Sequence, residues 1–327
     1  MDNGKQMTAI ARPRLSVVLP NYNHAIHLPN WFKAVLEQSV QPFEIIVIDD
    51  ASTDNSMEII QDFARKNPSI RVYRNEKNQG VGYGVNRGLA LATGDYIYFS
   101  ASDDEVLPGF FEKSLDVLAQ HPEAALSCTV SEWHDVPTGL RWHMAAGFAE
   151  KSSYFSPEQM VRMARQGKLF IVTQSSIMKR EPLVAVGGFI PELRWHCDWF
   201  AAYVTGFRHG ICYVPEVLSL VNIHPKSLYK AGHQKPEHQQ VLSKLLDLLN
   251  SKECADVAPR VRESGVLSLF AMPMLRLLMT RSEYRRFLTP GLLFKTLRRI
   301  GELQAKRLMP IWLARWSVAI FYRARTP

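Results

Sequence analysis

Acidic side chains recur in this chain where an open α/β sheet presents its ligands, at the carboxyl ends of strands. Asp49 and Asp50 end the apolar run that begins at Glu44, Asp103 and Asp104 follow the run 95–99, and Asp198 precedes Trp199-Phe-Ala-Ala-Tyr-Val. A carboxylate pair can hold Mg²⁺ or Mn²⁺ against a departing diphosphate. A lone carboxylate across the pocket can take the proton of an attacking hydroxyl. Each acid also has a plainer use: Asp50 and Asp54 suit a turn or cap, and Asp198 suits a helix N-cap.

The elements that must position these acids are legible as alternating strands and helices. Leu15-Ser-Val-Val-Leu-Pro20 reads as a buried strand ended by proline, and Leu28, Trp31, Phe32, Val35 and Leu36 recur at helical spacing. Strands over 44–49, 70–73 and 95–99 follow, with helices whose apolar faces include Met57, Ile60 and Phe63, then 85–92 after a glycine-rich turn. Regular alternation implies right-handed βαβ units and a mostly parallel sheet covered on both faces. Further strands are expected over 125–130, 169–178 and 210–223, with helices over 110–119, from Pro157 behind a Ser156 cap, and from Asp198. From about 235 onward the pattern is almost wholly helical.

Five segments, VVLPNYN (17–23), IIVIDDASTD (45–54), NQGVGYGVNRGLALATGDYIYFSASDDEVLPG (78–109), VGGFIPELRWHCDW (186–199) and IHPKSL (223–228), stand in an order and spacing that resemble family-2 inverting glycosyltransferases. The resemblance covers about 13–230. It implies a Rossmann-like A-type glycosyltransferase fold for 13–230 as a nucleotide-sugar-binding catalytic domain, with 235–327 as a helical basic C-terminal region. Pro20 and Tyr22 would line the nucleobase pocket, and Asp50 would accept from a uracil or thymine N–H. Asn23 and Ser52 would complete the nucleotide site, with Asp103 near the ribose. Asp104 would ligate Mn²⁺ or Mg²⁺ with His224 beside it, Asp198 would be the catalytic base, and Trp195 and His196 would face the sugar or acceptor. Outside the resemblance, His224 reads equally as a core or surface imidazole, and Trp195 as packing.

The activity so implied is inverting transfer of a hexose or aminosugar from a UDP-sugar to a saccharide or lipid-linked acceptor, in cell-surface glycan synthesis. Four positions depart from the family pattern: Ala101 stands where many relatives carry an acid, Cys197 where an acid precedes the base, and Val85 and Asn222 where arginines are frequent. They motivate the alternative of a nucleotide-sugar-binding scaffold with a decayed site. A nucleotidyltransferase would need a basic glycine-rich loop after the first strand, where Pro20-Asn-Tyr-Asn-His24 stands instead. Glycines 80, 82, 84 and 88 lack the dinucleotide spacing and follow the third strand, so nicotinamide binding is not expected.

Charge is concentrated at the C-terminal end. From Arg276 to Pro327 twelve basic residues face two acids, a local charge of +10 in a chain of net +8. Leu292, Leu293, Phe294, Leu297, Ile300 and Leu303 lie at helical spacing beside Lys295, Arg298 and Arg299, with Trp312 and Trp316 beyond, which suits an anionic membrane surface. Packing on the catalytic domain and a homodimer interface are the alternative uses. Nucleic-acid binding has only charge in its favour and no recognition motif. No uncharged apolar run reaches the ~18 residues of a membrane span, and four cysteines without paired spacing suit a reducing cytosol. The expected location is cytoplasmic, peripheral at the inner face of the membrane.

Overall fold

The β-branched runs of the N-terminal half become strands covered on both faces. In the computed structural model, which describes residues 12–224 and 237–308, strands β1 (Leu15–Asn21), β2 (Glu44–Asp49), β3 (Ile70–Arg74) and β4 (Tyr96–Phe99) lie in the order β3-β2-β1-β4, all parallel. Alternation along them sends Val18, Ile46, Ile48 and Ile97 to one buried cluster and Val17, Leu19, Ile45 and Val47 to the other. Helices α1 (Leu28–Leu36) and α2 (Ser56–Lys66) pack on the second face, and α3 (Val81–Leu91) on the first.

Helix α3 starts four residues before the expected 85, so Gly82 and Gly84 are helical. Their place in the fold explains part of this: a Cβ on Gly88 would lie 2.2 Å from Val18 Cγ1, and one on Gly84 3.0 Å from Pro20 Cβ. These glycines let α3 approach β1 closely, a packing need that local sequence presents as a turn signal.

The second half makes the sheet mixed. It contributes β5 (Glu105–Val106), α4 (Phe110–Gln120), β6 (Leu126–Asp135), β7 (Leu140–Met144), β8 (Ser153–Phe155), α5 (Pro157–Arg165), β9 (Ser176–Lys179), α6 (Arg180–Ala185), α7 (Cys197–His209) and β10 (Ile211–Ile223). The sheet runs on from β4 as β9-β6-β10-β5, with β7 on β6 and β8 on β10. Strand β10 is parallel to β6, whereas β9 is antiparallel to both β4 and β6. Parallel pairing is therefore confined to the first four strands and the β6–β10 pair, and the antiparallel β9 lies between them. The strand expected over 169–178 is only Ser176–Lys179; Thr173–Ser175 forms a 3-10 turn, and the apolar Leu169, Ile171 and Val172 are buried without joining the ladder. Helix α5 begins as expected: Ser156 and Gln159 form a reciprocal capping box.

Four helices complete the described chain: α8 (His238–Asn250), α9 (Ala258–Ser264), α10 (Ala271–Thr280) and α11 (Pro290–Leu308). Leu242, Leu245, Leu246 and Leu249 of α8 share one buried cluster with Phe200, Tyr203 and Phe207 of α7 and with Val18 of β1. The C-terminal helices thus extend the core of the sheet. No helix among the described residues is long and apolar enough to cross a membrane. The 230/235 boundary, the end of the IHPKSL segment, Trp312 and Trp316 lie outside the described residues.

Candidate active site

Topology brings the acids to one edge of the sheet. Parallel β1, β2 and β4 all end there, delivering Asn21, Asp49, Asp50 and the loop 100–104. Because β9 runs antiparallel to β4, pairing Ile177 with Tyr98, the start of β9 and the preceding Thr173 also lie at this edge. Thr173 Oγ1 donates to Asp198 Oδ2 at 2.8 Å, which ties the start of α7 to the same edge. Of the five described non-glycine residues with positive φ, Asn23, Ala51 and Arg194 border this region. Such backbone conformations persist where surrounding structure enforces them, and they cluster at functional sites.

At the β1–β2 corner, hydrogen bonds knit two loops together. Asn21 Nδ2 and Ser52 Oγ donate to Asp49 Oδ1 at 2.9 and 2.5 Å, and Asn23 N donates to Ser52 Oγ at 3.0 Å. The Asn23 side-chain oxygen accepts from Thr53 N at 2.8 Å, and Asp54 accepts from Ala25 N at 3.0 Å. Asn23 and Ser52 therefore build the frame of the corner. Pro20 is half-buried, and Tyr22 is 43% exposed with its ring available for stacking. Asp50 is differently placed from its expected role: its carboxylate accepts from Asn75 Nδ2 at 2.7 Å, Gly80 N at 2.7 Å, and Gln79 N at 2.9 and 3.0 Å to its two oxygens. These contacts occupy a carboxylate's roughly four acceptor positions. In this conformation Asp50 holds the 75–80 loop and the start of α3.

The acidic loop is latched to β10. Asn222 N donates to Asp104 Oδ1 at 2.9 Å, and Asn222 Nδ2 donates to the Asp103 carbonyl at 2.7 Å. An asparagine at this departure from the family pattern thus positions both acids. Burial, reinforced by the neighbouring charge of Asp103 and opposed by the Asn222 N–H, pushes the Asp104 carboxyl up to about 8. A carboxylate held so reluctantly ionised gains when a cation replaces its proton. Among the described residues no three His, Cys, Asp or Glu side chains form a complete metal cage. Two adjacent hard oxygen donors nevertheless fit Mg²⁺ or Mn²⁺, which characteristically take one or two carboxylates and fill the remaining positions with substrate phosphates and water.

Three imidazoles gather beside the acids. The His24 and His27 rings lie 5.6 Å apart and the His27 and His224 rings 6.5 Å apart. His24 Nδ1 shares a 2.6 Å hydrogen bond with Ser102 Oγ. Burial lowers the His27 pKa, with Asp103 opposing and His24 and His224 adding to the effect. His224 was legible in the sequence, but His24 and His27 were not singled out. Their signal was present as two histidines three apart, immediately after the first strand.

Asp198 lies in the first turn of α7, half-buried, with Oδ1 accepting from Trp199 N at 2.7 Å besides the Thr173 bond. Burial raises its pKa, and those two donors pull the other way. A carboxyl raised in this manner is the stronger base once ionised. Trp199 stacks on Tyr203 at 4.7 Å and meets Phe270 edge-on, which fixes the turn that carries Asp198. His196 is 4% exposed and shares a 3.1 Å hydrogen bond with His238 of α8, with Phe270 against its ring. Trp195 lies 6.0 Å from the same His238 ring. His196 accordingly joins α7 to the C-terminal helices in this structure, with Trp195 alongside.

Residues 16–187 match the family model described as Glycosyl transferase family 2. The uncharacterized glycosyltransferase YibD of Escherichia coli K12 is 33% identical over 129 residues, 39% of this chain and 37% of YibD. The GalNAc(5)-diNAcBac-PP-undecaprenol beta-1,3-glucosyltransferase of Campylobacter jejuni is 27% identical over 171 residues, 52% of this chain and 54% of the relative. The matched stretch thus spans about a third to a half of these curated relatives. Among solved structures, Staphylococcus aureus TarS 1-349 in complex with UDP-GlcNAc superposes with a TM-score of 0.62 at 16% identity, covering 88% of this chain and 80% of TarS 1-349. At that identity the likeness establishes the A-type glycosyltransferase fold.

Proposed function

The chain belongs to glycosyl transferase family 2, and on that premise we propose that it moves a sugar from a UDP-sugar to a hydroxyl of a saccharide or lipid-linked acceptor, with inversion, in cell-surface glycan synthesis. The observation carrying this reading is that the Asp103–Asp104 loop and the Thr173–Asp198 pair meet at one edge of the sheet. The UDP-GlcNAc complex of TarS and the lipid-linked substrate named for the Campylobacter relative support the donor and acceptor classes.

Asp198, oriented by Thr173, takes the proton of the acceptor hydroxyl as that oxygen attacks the anomeric carbon, and the sugar–phosphate bond breaks on the opposite side. Asp104 and Asp103 would hold Mn²⁺ or Mg²⁺, whose charge offsets the negative charge gathering on the departing diphosphate. We assign His224, with His24 and His27, to hydrogen bonding with that diphosphate, which their clustering beside the Asp103–Asp104 loop supports. Tyr22 and Pro20 take the base in a corner framed by Asn23 and Ser52, while Asp50 fixes the 75–80 loop beside it. Trp195 and His196 join the acceptor side to the C-terminal helices. We read 13–230 as the catalytic part and the basic segment 276–327 as its contact with an anionic membrane surface.

Calorimetry with UDP, with and without Mn²⁺, followed by transfer assays of Asp198→Asn, tests the reading. The variant should bind UDP as the parent does and lose on the order of 10²–10⁴ in kcat. Undiminished transfer would remove Asp198 from the base role; UDP binding without any turnover in the parent would favour the scaffold.

A further inference from the structure

Away from the acids, α5, α9 and α11 line a half-open cavity of about 670 Å³. One face of α11 lines it: Gly291, Phe294, Lys295, Arg298, Arg299 and Glu302 recur at helical spacing. Arg165 and Arg262 come from the opposite side. Two cations are paired, Arg165 with Glu263 at 3.3 Å and Arg298 with Glu302 at 2.9 Å. Arg262 and Arg299 have no carboxylate partner among the described residues. Arg299 Nε is buried with no acceptor among the described residues, an arrangement that favours an incoming acceptor.

Three further features indicate the sign and nature of that partner. Lys295 Nζ donates to the Ser264 carbonyl at 2.7 Å and to the Ala164 carbonyl, and burial together with Arg165 brings its pKa down to about 8. An anion would relieve that strain on the ammonium. The N-terminal end of the 19-residue α11, at Thr289 and Gly291, opens on the same cavity, and a helix N-terminus adds positive potential. Apolar surface borders the cations: Phe294 is 69% exposed, and Leu297 on the same helix is 56% exposed. The chain's own segment 309–327 has three arginines and no acid, so its side chains do not complement this charge.

We propose that this cavity binds the phosphate group of an anionic lipid, between Arg262 and Arg299, with the lipid chain lying over Phe294 and Leu297. The inference rests on reading the basic segment as membrane-facing and is independent of the sugar-transfer chemistry.

Flotation of the full chain with vesicles of phosphatidylcholine, alone or mixed with phosphatidylglycerol, tests it, with inorganic phosphate and pyrophosphate titrated in parallel. Binding should require phosphatidylglycerol and weaken about fivefold for each arginine removed in Arg262→Gln plus Arg299→Gln, roughly 25-fold together. The pair Arg281→Gln plus Arg285→Gln, exposed but outside the cavity, should weaken it less. Phe294→Ser, at an exposed position, should weaken binding with the fold intact, which keeps the test open should the Arg299 change unfold the protein. Equal losses from the two arginine pairs would overturn the site while leaving the membrane reading in place. Absence of any preference for phosphatidylglycerol would overturn both. Binding of pyrophosphate without vesicle binding would overturn the lipid as the source of the phosphate.

Discussion

Replacing Asp104 by Asn should make the metal-free protein more stable. The Asp104 carboxyl, ordinarily near 3.8, is pushed up to about 8 by burial and by Asp103. Between those values the folded state keeps a proton that the unfolded state has released, so stability falls as pH rises through that window. Near pH 7 the gap is about three units, or about 4 kcal/mol at about 1.4 kcal/mol per unit. Solvent screening at the partly exposed side chain removes about half, leaving about 2 kcal/mol. Asparagine carries no such penalty and still offers an oxygen to the Asn222 N–H, which now donates to Asp104 at 2.9 Å. Urea unfolding in EDTA, followed by tryptophan fluorescence at about pH 5 and about pH 8, should show the variant's advantage growing with pH. Mn²⁺ at a hundredfold excess over its Kd should then stabilise the parent by about 2.7 kcal/mol and the variant by less. Parallel pH curves for the two proteins, or equal stabilisation by Mn²⁺, would refute this account of the acidic loop.

Three further substitutions probe the proposed base and the packing beneath the site. Thr173→Val removes the 2.8 Å hydrogen bond that lowers the Asp198 pKa, so the acidic limb of the kcat profile should move to higher pH; an unmoved limb would separate Asp198 from that limb. Gly88→Ala places a Cβ 2.2 Å from Val18 Cγ1 and should cost about 1–3 kcal/mol in urea unfolding. Gly82→Ala, which meets nothing within 4 Å, should gain up to about 1 kcal/mol; similar effects at both positions would contradict the close approach of α3 to β1.

The first four strands were legible because two-sided burial leaves a local mark, unbroken β-branched runs such as Ile45-Ile-Val-Ile48. The direction of β9 left no such mark. It depends on Ile177 facing Tyr98 about eighty residues earlier, and periodicity carries no information about a partner's direction. The acids were found because strand ends are local features. Asp50's engagement was hidden because its donors, Asn75, Gln79 and Gly80, arrive from the next loop. His196 was read as facing a ligand because its motif is local, whereas its neighbour, His238, comes from a helix whose position no pattern near residue 196 could indicate.

The continuity of the core from α7 into α8 through α11 bears on protein engineering. Tyr284, Phe287 and Leu292 are buried in the same cluster as Phe200 and Tyr203, so cutting the chain near residue 273 would strip the lining from the helix on which Asp198 sits. Exchanging C-terminal regions between related enzymes to redirect their acceptors would transplant half of a hydrophobic interface. Such chimeras should retain turnover only where the α7 face travels with its covering helices, so the useful joint lies upstream of residue 197.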